Sequence, residues 1–188
     1  MPSMPISSPS SLSDLRQVFL ACGSSQYTGE PVTHLAHALQ TAHLAQRAGA
    51  GDAMVVAALL HDVGHLVSGH AGTPTLEGVD DRHEHTGADL LGRWFGEDIT
   101  APVRLHVEAK RALATDPRYL RALSADSLRS LALQGGPMTP DEAAAFRRKP
   151  WAMASMALRR WDDAAKNPDW RVGELQDFWP LAESVARR

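Results

Sequence analysis

A histidine, an aspartate and a second histidine stand together as HDVGH at 61–65, inside the very apolar stretch AMVVAALLHDVGHLV. An ionised carboxylate in such a segment is costly unless a cation meets it. On a helix His61 and Asp62 project about 100° apart, so both can reach a metal ion lying against that face. His65 follows one turn on, on the same side as His61. Four more ligand types sit on separate predicted helices or at their edges: His37, His83, His106 and Asp162. Helical bundles assemble metal sites from inward-facing side chains of this kind. Four histidines and two carboxylates suit borderline or hard first-row metals, and no thiolate set is present for a structural zinc. Six ligands are too many for one catalytic ion that keeps an open position; they suit two ions, with Asp62 as the natural bridge. The sequence holds nine histidines. His34 and His43 read as packing residues on the His37 helix, and His70 and His85 have no spacing argument behind them.

The elements that must position these residues all read as helices, because no segment sustains strand-like alternation. The periodicity predicts helices at 12–22, at 34–48 capped by Thr33, and from 51 or 52 onward through HDVGHLV. The third, apolar on nearly all sides, is expected to be the buried central helix. After an irregular loop at 68–82, helices are expected at about 84–95, at 101–113 with Pro102 in the first turn, and at 124–134. QGGPM at 134–138 is a break. Thr139 and Glu142 then form a capping-box signature with Pro140 at the first helical position. Helices near 150–166 and 173–187 complete a set of about eight. The expected fold is a compact all-α bundle with a dinuclear metal site on its central helices, a single domain at 12–188 preceded by a flexible leader at 1–11.

Composition narrows the function classes. The 188 residues carry a formal net charge of −3, so no basic field points to a nucleic-acid partner. Cys22 is the single cysteine, which leaves no intrachain disulfide. The longest apolar run is far too short to span a membrane, and the Ser- and Pro-rich start lacks the pattern of a signal peptide. A cytoplasmic protein is expected by default, with no membrane partner; the oligomeric state is left open.

The ordered set H…HDxGH…HE…H…D resembles the HD-domain superfamily. More closely, the chain resembles its mixed-valent diiron oxygenases, which include myo-inositol oxygenase and the 1-hydroxyphosphonate oxygenases. The segments that look like the latter are YTGE at 27–30, HALQTA at 37–42, LLHDVGH at 59–65 and RHEHTGADLL at 82–91. To them are added VRLHVEAKRAL at 103–113, SLRSLALQGGPM at 127–138 and LRRWDDAAK at 158–166. The resemblance implies two iron ions, Fe(II)/Fe(III), that use O2 to cleave the carbon–phosphorus bond of a small organophosphonate, releasing phosphate and a carboxylate. The expected substrate is 1-hydroxy-2-aminoethylphosphonate or its N-trimethyl analogue. Tyr27 and Glu30 match a pair over the open iron position, the tyrosine occupying it before substrate enters and the glutamate meeting the substrate's amino end. His65, Lys110, Ser127, Ser130, Gln134 and Arg159 match the phosphonate-facing set, and a dianion needs such donors. Asp162 aligns with the last ligand; its neighbour Asp163 is expected to face solvent.

The competing reading is a metal-dependent phosphohydrolase acting on a nucleotide or phosphate monoester, with metal-activated water as nucleophile. The second histidine pair, YTGE and QGGPM are what such a hydrolase does not require. A non-catalytic binding domain would be expected to have lost ligands, and all six are here.

Overall fold

The computed structural model describes residues 8–27, 29–68 and 74–187. His70 and most of the expected leader lie outside them. Among the described residues there are eleven α-helices, one short 3₁₀ helix at Pro74–Glu77 and no strand; the single extended pairing is a bridge between Gln26 and Thr33. No described helix is long and apolar enough to cross a membrane.

Local signals set most helix starts. Helix α1 (Leu12–Cys22) begins at Ser11, whose hydroxyl accepts from the Asp14 amide while the Asp14 carboxylate accepts from the Ser11 amide. Residue 11 is therefore a cap of the fold and not part of a loose leader. Thr33 caps α2 (His34–Arg47) through the Ala36 amide. Thr139 and Glu142 form the expected capping box on α9 (Pro140–Arg147).

The stretch expected to be one central helix is two, α3 (Asp52–Leu60) and α4 (Val63–Val67), with the break at His61 and Asp62. Asp62 has φ −103° and ψ 14°, in the sparsely populated bridge region. Just past the break the packing is tight: an ideal Cβ on Gly64 would stand 2.0 Å from the His83 carbonyl oxygen. Only glycine lets α4 lie so close to the start of α5 (His83–Leu91).

Helix α6 (Glu97–Leu113) begins a turn earlier than expected and keeps Pro102 in its interior. Its start is set by Gly96 and the acidic pair Glu97 and Asp98, which favour a helix N-terminus. The remaining helices are α7 (Pro117–Ala122), α8 (Ala125–Leu133), α10 (Ala152–Ala164) and α11 (Leu175–Val185). Helix α7 escaped the sequence reading, although Asp116 caps it and Pro117 opens it. Helix α6 packs against α3, α5 and α10. Leu60, Leu91, Phe95, Ile99, Val103 and Leu158 close the main apolar core between these helices. A second cluster around Ala109, Phe146 and Met156 anchors α9. Burial of this kind contributes roughly 1.5–3 kcal/mol per large apolar side chain, enough to hold polar groups where they could not stay alone.

Candidate metal centre

The six expected ligands converge. His37 comes from α2, His61 and Asp62 from the break between α3 and α4, His83 from the first turn of α5, His106 from α6 and Asp162 from α10. All are buried, with His37, His61, His106 and Asp162 at 1% exposure or less. The four rings share one arrangement. Each turns Nδ1 outward to an oxygen: His37 to the Ala165 carbonyl at 2.8 Å, His61 to that of Ala58 at 2.8 Å, His106 to that of Val103 at 2.7 Å, and His83 to Asp81 Oδ1 at 2.9 Å. Those oxygens only accept, so each Nδ1 carries a proton, and in its neutral form each ring presents a bare Nε2 lone pair inward.

The inward lone pairs face one another in two couples. His37 and His61 bring Nε2 to Nε2 at 3.3 Å, and His83 and His106 do so at 3.2 Å. Asp62 stands between the couples and divides its carboxylate. Oδ2 lies 3.3 Å from His61 and 3.6 Å from His37, while Oδ1 lies 3.3 Å from His83 and 3.6 Å from His106. Asp162 adds Oδ1 at 3.3 Å from His37. Asp62 Oδ1 and Asp162 Oδ1 are buried with no hydrogen-bond donor. Facing lone pairs and undonated carboxylate oxygens, sealed from water, are costly unless cations lie among them. The donor set therefore fits two metal ions: His37, His61 and Asp162 on one side, His83 and His106 on the other, Asp62 between. His65 also brings a ring nitrogen within 4.8 Å of ligand atoms of Asp62 and His83.

Electrostatics of the protein alone agree. Burial opposes the charge on Asp62, but His61 and His83 outweigh it and hold the carboxyl well below its usual range. Burial likewise opposes charge on His83, yet the carboxylates of Asp62 and Asp81 lift it to about 10. Burial drives His106 the other way, well below normal. Without metal the cluster thus gathers positive charge onto one histidine of a couple, as an anionic cation-seeking site does.

Tyr27 closes the centre. Its Oη donates to Asp62 Oδ2 at 2.6 Å, and its ring stacks on His37 at 4.1 Å between centroids. Burial and then Asp62 push its phenol well above the ordinary value. A tight loop aims it there: the Tyr27 amide donates to the Val32 carbonyl, and the Glu30 amide donates back to Tyr27.

Beyond Tyr27 a cavity opens, walled by Asp62, His65, Lys110, Ser130, Gln134 and other residues of α8 and α10. Lys110 Nζ donates to Ser130 Oγ at 2.7 Å and is paired with no carboxylate among the described residues. Burial, then Arg159, lowers the Lys110 ammonium to about 7. Gln134 Oε1 is buried and unpartnered. Ser127 Oγ accepts from Arg159 at 3.3 Å.

Two residues have surroundings other than those expected. Glu30 is not on the cavity wall; it is buried behind Lys166, whose Nζ reaches Glu30 Oε1 at 2.9 Å, and it also bonds Ser124. The cation it meets belongs to the protein. Asp163 does not face solvent: it binds Arg159 and Tyr119. Arg159 is correspondingly shared: Nη1 is on Asp162 at 2.7 Å and Nη2 on Asp163, and the residue also lines the cavity.

Two residues were missed. Asp81 bonds His83 through one oxygen and His65 Nδ1 through the other at 2.7 Å, fixing two stacked rings 3.9 Å apart. Its place two residues before His83 was a usable signal. Lys166, one turn past Asp162, was another. His34 packs edge-on against Tyr27, and His43 against Trp170; His85 meets Glu84 and Arg104, apart from the ligand set.

The HD domain family matches residues 35–142. Over 172 residues the chain is 42% identical to the [1-hydroxy-2-(trimethylamino)ethyl]phosphonate dioxygenase (glycine-betaine-forming) of Leisingera caerulea, covering 90% of this chain and 86% of that protein. It is 44% identical to the hydroxymethylphosphonate dioxygenase of Gimesia maris over 164 residues, 86% of this chain and 81% of that one. An uncharacterized protein of Acanthamoeba polyphaga mimivirus is 35% identical over 147 residues, 77% and 67% of the two chains.

Proposed function

The chain belongs to the HD domain family, and we propose that it is a diiron oxygenase that cleaves the carbon–phosphorus bond of a 1-hydroxyphosphonate with O2. The observation that carries this reading is Asp62, its two oxygens divided between two histidine couples and its outer face open to a cavity lined by cationic and hydroxyl donors. The names of the two dioxygenase relatives support the same reaction class.

His37, His61 and Asp162 would hold one ion, His83 and His106 the other, and Asp62 both. Iron bound there, as a mixed-valent Fe(II)/Fe(III) pair, would supply the one-electron and O2 chemistry. The chain's own residues do the rest. Lys110 and the hydroxyls of Ser127 and Ser130 take the phosphonate oxygens by charge-assisted and neutral hydrogen bonds. The substrate hydroxyl replaces the Tyr27 phenol beside Asp62. His65, its Nδ1 2.7 Å from Asp81 Oδ2, presents its other ring nitrogen at the same mouth. The balance is closed: R–CH(OH)–PO₃H₂ and O2 give R–COOH and H₃PO₄, with the C1–H and C1–P bonds broken and both oxygen atoms retained in products.

The test is an aerobic assay of iron-loaded protein against a panel of 1-hydroxyphosphonates. One O2 consumed per phosphate released is expected. Phosphate released from phosphate monoesters without O2 uptake would replace the reading with a hydrolase.

A further inference from the structure

Lys166 has the surroundings of a binding residue. Its side chain is only 12% exposed, and its ammonium is fully engaged: Glu30 Oε1 at 2.9 Å, Ser127 Oγ at 3.0 Å and Ser124 Oγ at 3.3 Å. It also lines the cavity. Ser127 and Ser130 lie three residues apart on α8, hence on one face. Lys110 bonds the Ser130 hydroxyl and Lys166 the Ser127 hydroxyl, so the two ammonium groups flank one short row of hydroxyls. Ser127 Oγ accepts from both Lys166 and Arg159, and its own O–H finds no acceptor among the described residues. Lys110 likewise has a single acceptor for three N–H bonds. Donors are in surplus along this wall, and an anion is what the surplus fits.

Glu30 completes the picture from behind. It is 7% exposed, and its side chain bonds only Lys166 and Ser124 among the described residues. The face of Tyr27, which could attract a quaternary ammonium, already has Lys166 Nζ 6.0 Å from its centroid. A cationic substituent on the substrate would have to displace the lysine from its carboxylate and sit beside a like charge.

We propose that Lys166 is a further substrate-binding residue, donating to the phosphonate group in place of its bond to the Ser127 hydroxyl, as Lys110 does from the Ser130 end of the wall, and that Glu30 positions Lys166 instead of receiving an amine of the substrate. This rests on the reading of the cavity as a phosphonate site, and it addresses what similar identities of 42% and 44% to two differently substituted relatives leave open.

The test uses iron-loaded wild type, Lys166→Met, Lys166→Arg, Glu30→Gln and the Lys166→Met/Glu30→Gln double variant. Calorimetry gives the Kd of inorganic phosphate; kinetics give kcat and KM on hydroxymethylphosphonate and on the 2-amino and 2-trimethylammonio 1-hydroxyethylphosphonates. Lys166→Met should weaken phosphate by about 10- to 100-fold, the range for one charge-assisted contact, and raise KM alike on every substrate turned over, with Lys166→Arg recovering most of it. Glu30→Gln should cost less, equally on each substrate, and add nothing to Lys166→Met, because it acts through the lysine. Native phosphate affinity in Lys166→Met at full iron content overturns the proposal. So does a Glu30→Gln penalty confined to the ammonium-bearing substrates, which also decides the matter if Lys166→Met does not fold. If wild type turns over none of the three phosphonates, the proposed reaction falls, and the phosphate arm still reads Lys166 by itself.

Discussion

Replacing Gly64 by alanine tests whether the metal centre depends on the close approach of α4 to α5. The new Cβ would stand 2.0 Å from the His83 carbonyl oxygen, 2.7 Å from its carbon and 2.9 Å from its Cα. Ordinary contact begins near 3.4 Å, so the first turn of α5 must retreat by about 1.4 Å. The neighbour is backbone, not the end of a flexible side chain, and cannot rotate away. Overpacking typically costs about 1–3 kcal/mol, and a backbone clash belongs at the upper end. For a chain of this size that is a Tm lowered by about 6–12 °C. The displaced residue is His83, whose Nε2 is 3.3 Å from Asp62 and 3.2 Å from His106. Metal ligation tolerates only a few tenths of an ångström. The His83–His106 side should therefore lose its ion, while His37, His61 and Asp162, on other elements, keep theirs. Metal content per chain should fall from two toward one, measured by inductively coupled plasma mass spectrometry beside a thermal melt. Gly87→Ala, whose Cβ meets the Gly64 nitrogen at 3.2 Å, should cost less; Gly51→Ala, with nothing within 4 Å, should keep both metals. Two ions per chain and a wild-type Tm in Gly64→Ala would refute the reasoning.

Lys110→Ala should keep the metals and raise KM for the phosphonate by about 10- to 100-fold, as loss of a charge-assisted contact does; loss of iron with normal turnover per remaining iron would make the residue structural. The Lys110 ammonium is lowered to about 7 by burial and Arg159, so its charge is present below that pH and lost above it. Affinity for sulfate, whose own charge is constant there, should fall as pH rises through 7, and Lys110→Arg should abolish the fall. Asp162→Asn should lose metal, whereas Asp163→Asn should retain it and only loosen Arg159; equal metal content in both would reverse the two assignments. Stripping both metals with a chelator should lower Tm by roughly 10–20 °C relative to protein held at 100 times the metal Kd, at about 2.7 kcal/mol for each of two sites, and an unchanged melt would mean that the centre holds no metal.

Some helix starts and the residue types that converge at the candidate centre were legible because both rest on short-range chemistry. Thr139 with Glu142 satisfies backbone amides within three residues, wherever the rest of the chain goes; Ser11 with Asp14 does the same, though the Ser- and Pro-rich start masks it. The histidines and aspartates were legible because a buried segment tolerates such residues only when something charged meets them. The sequence by itself thus determined the helical class, the caps at Thr33 and Thr139 and the donor types gathered at the candidate centre. Only the tertiary structure decided how those donors are used. The break at Asp62 and the approach of Gly64 to His83, nineteen positions away, are recorded by no helical periodicity. Asp81 takes up two histidines, Asp163 turns inward to Arg159 and Tyr119, and Glu30 is claimed by a lysine 136 residues later. Each of these is a carboxylate choosing among cations and donors. That choice depends on through-space distance and burial, which are fixed only when α4, α5, α8 and α10 have packed.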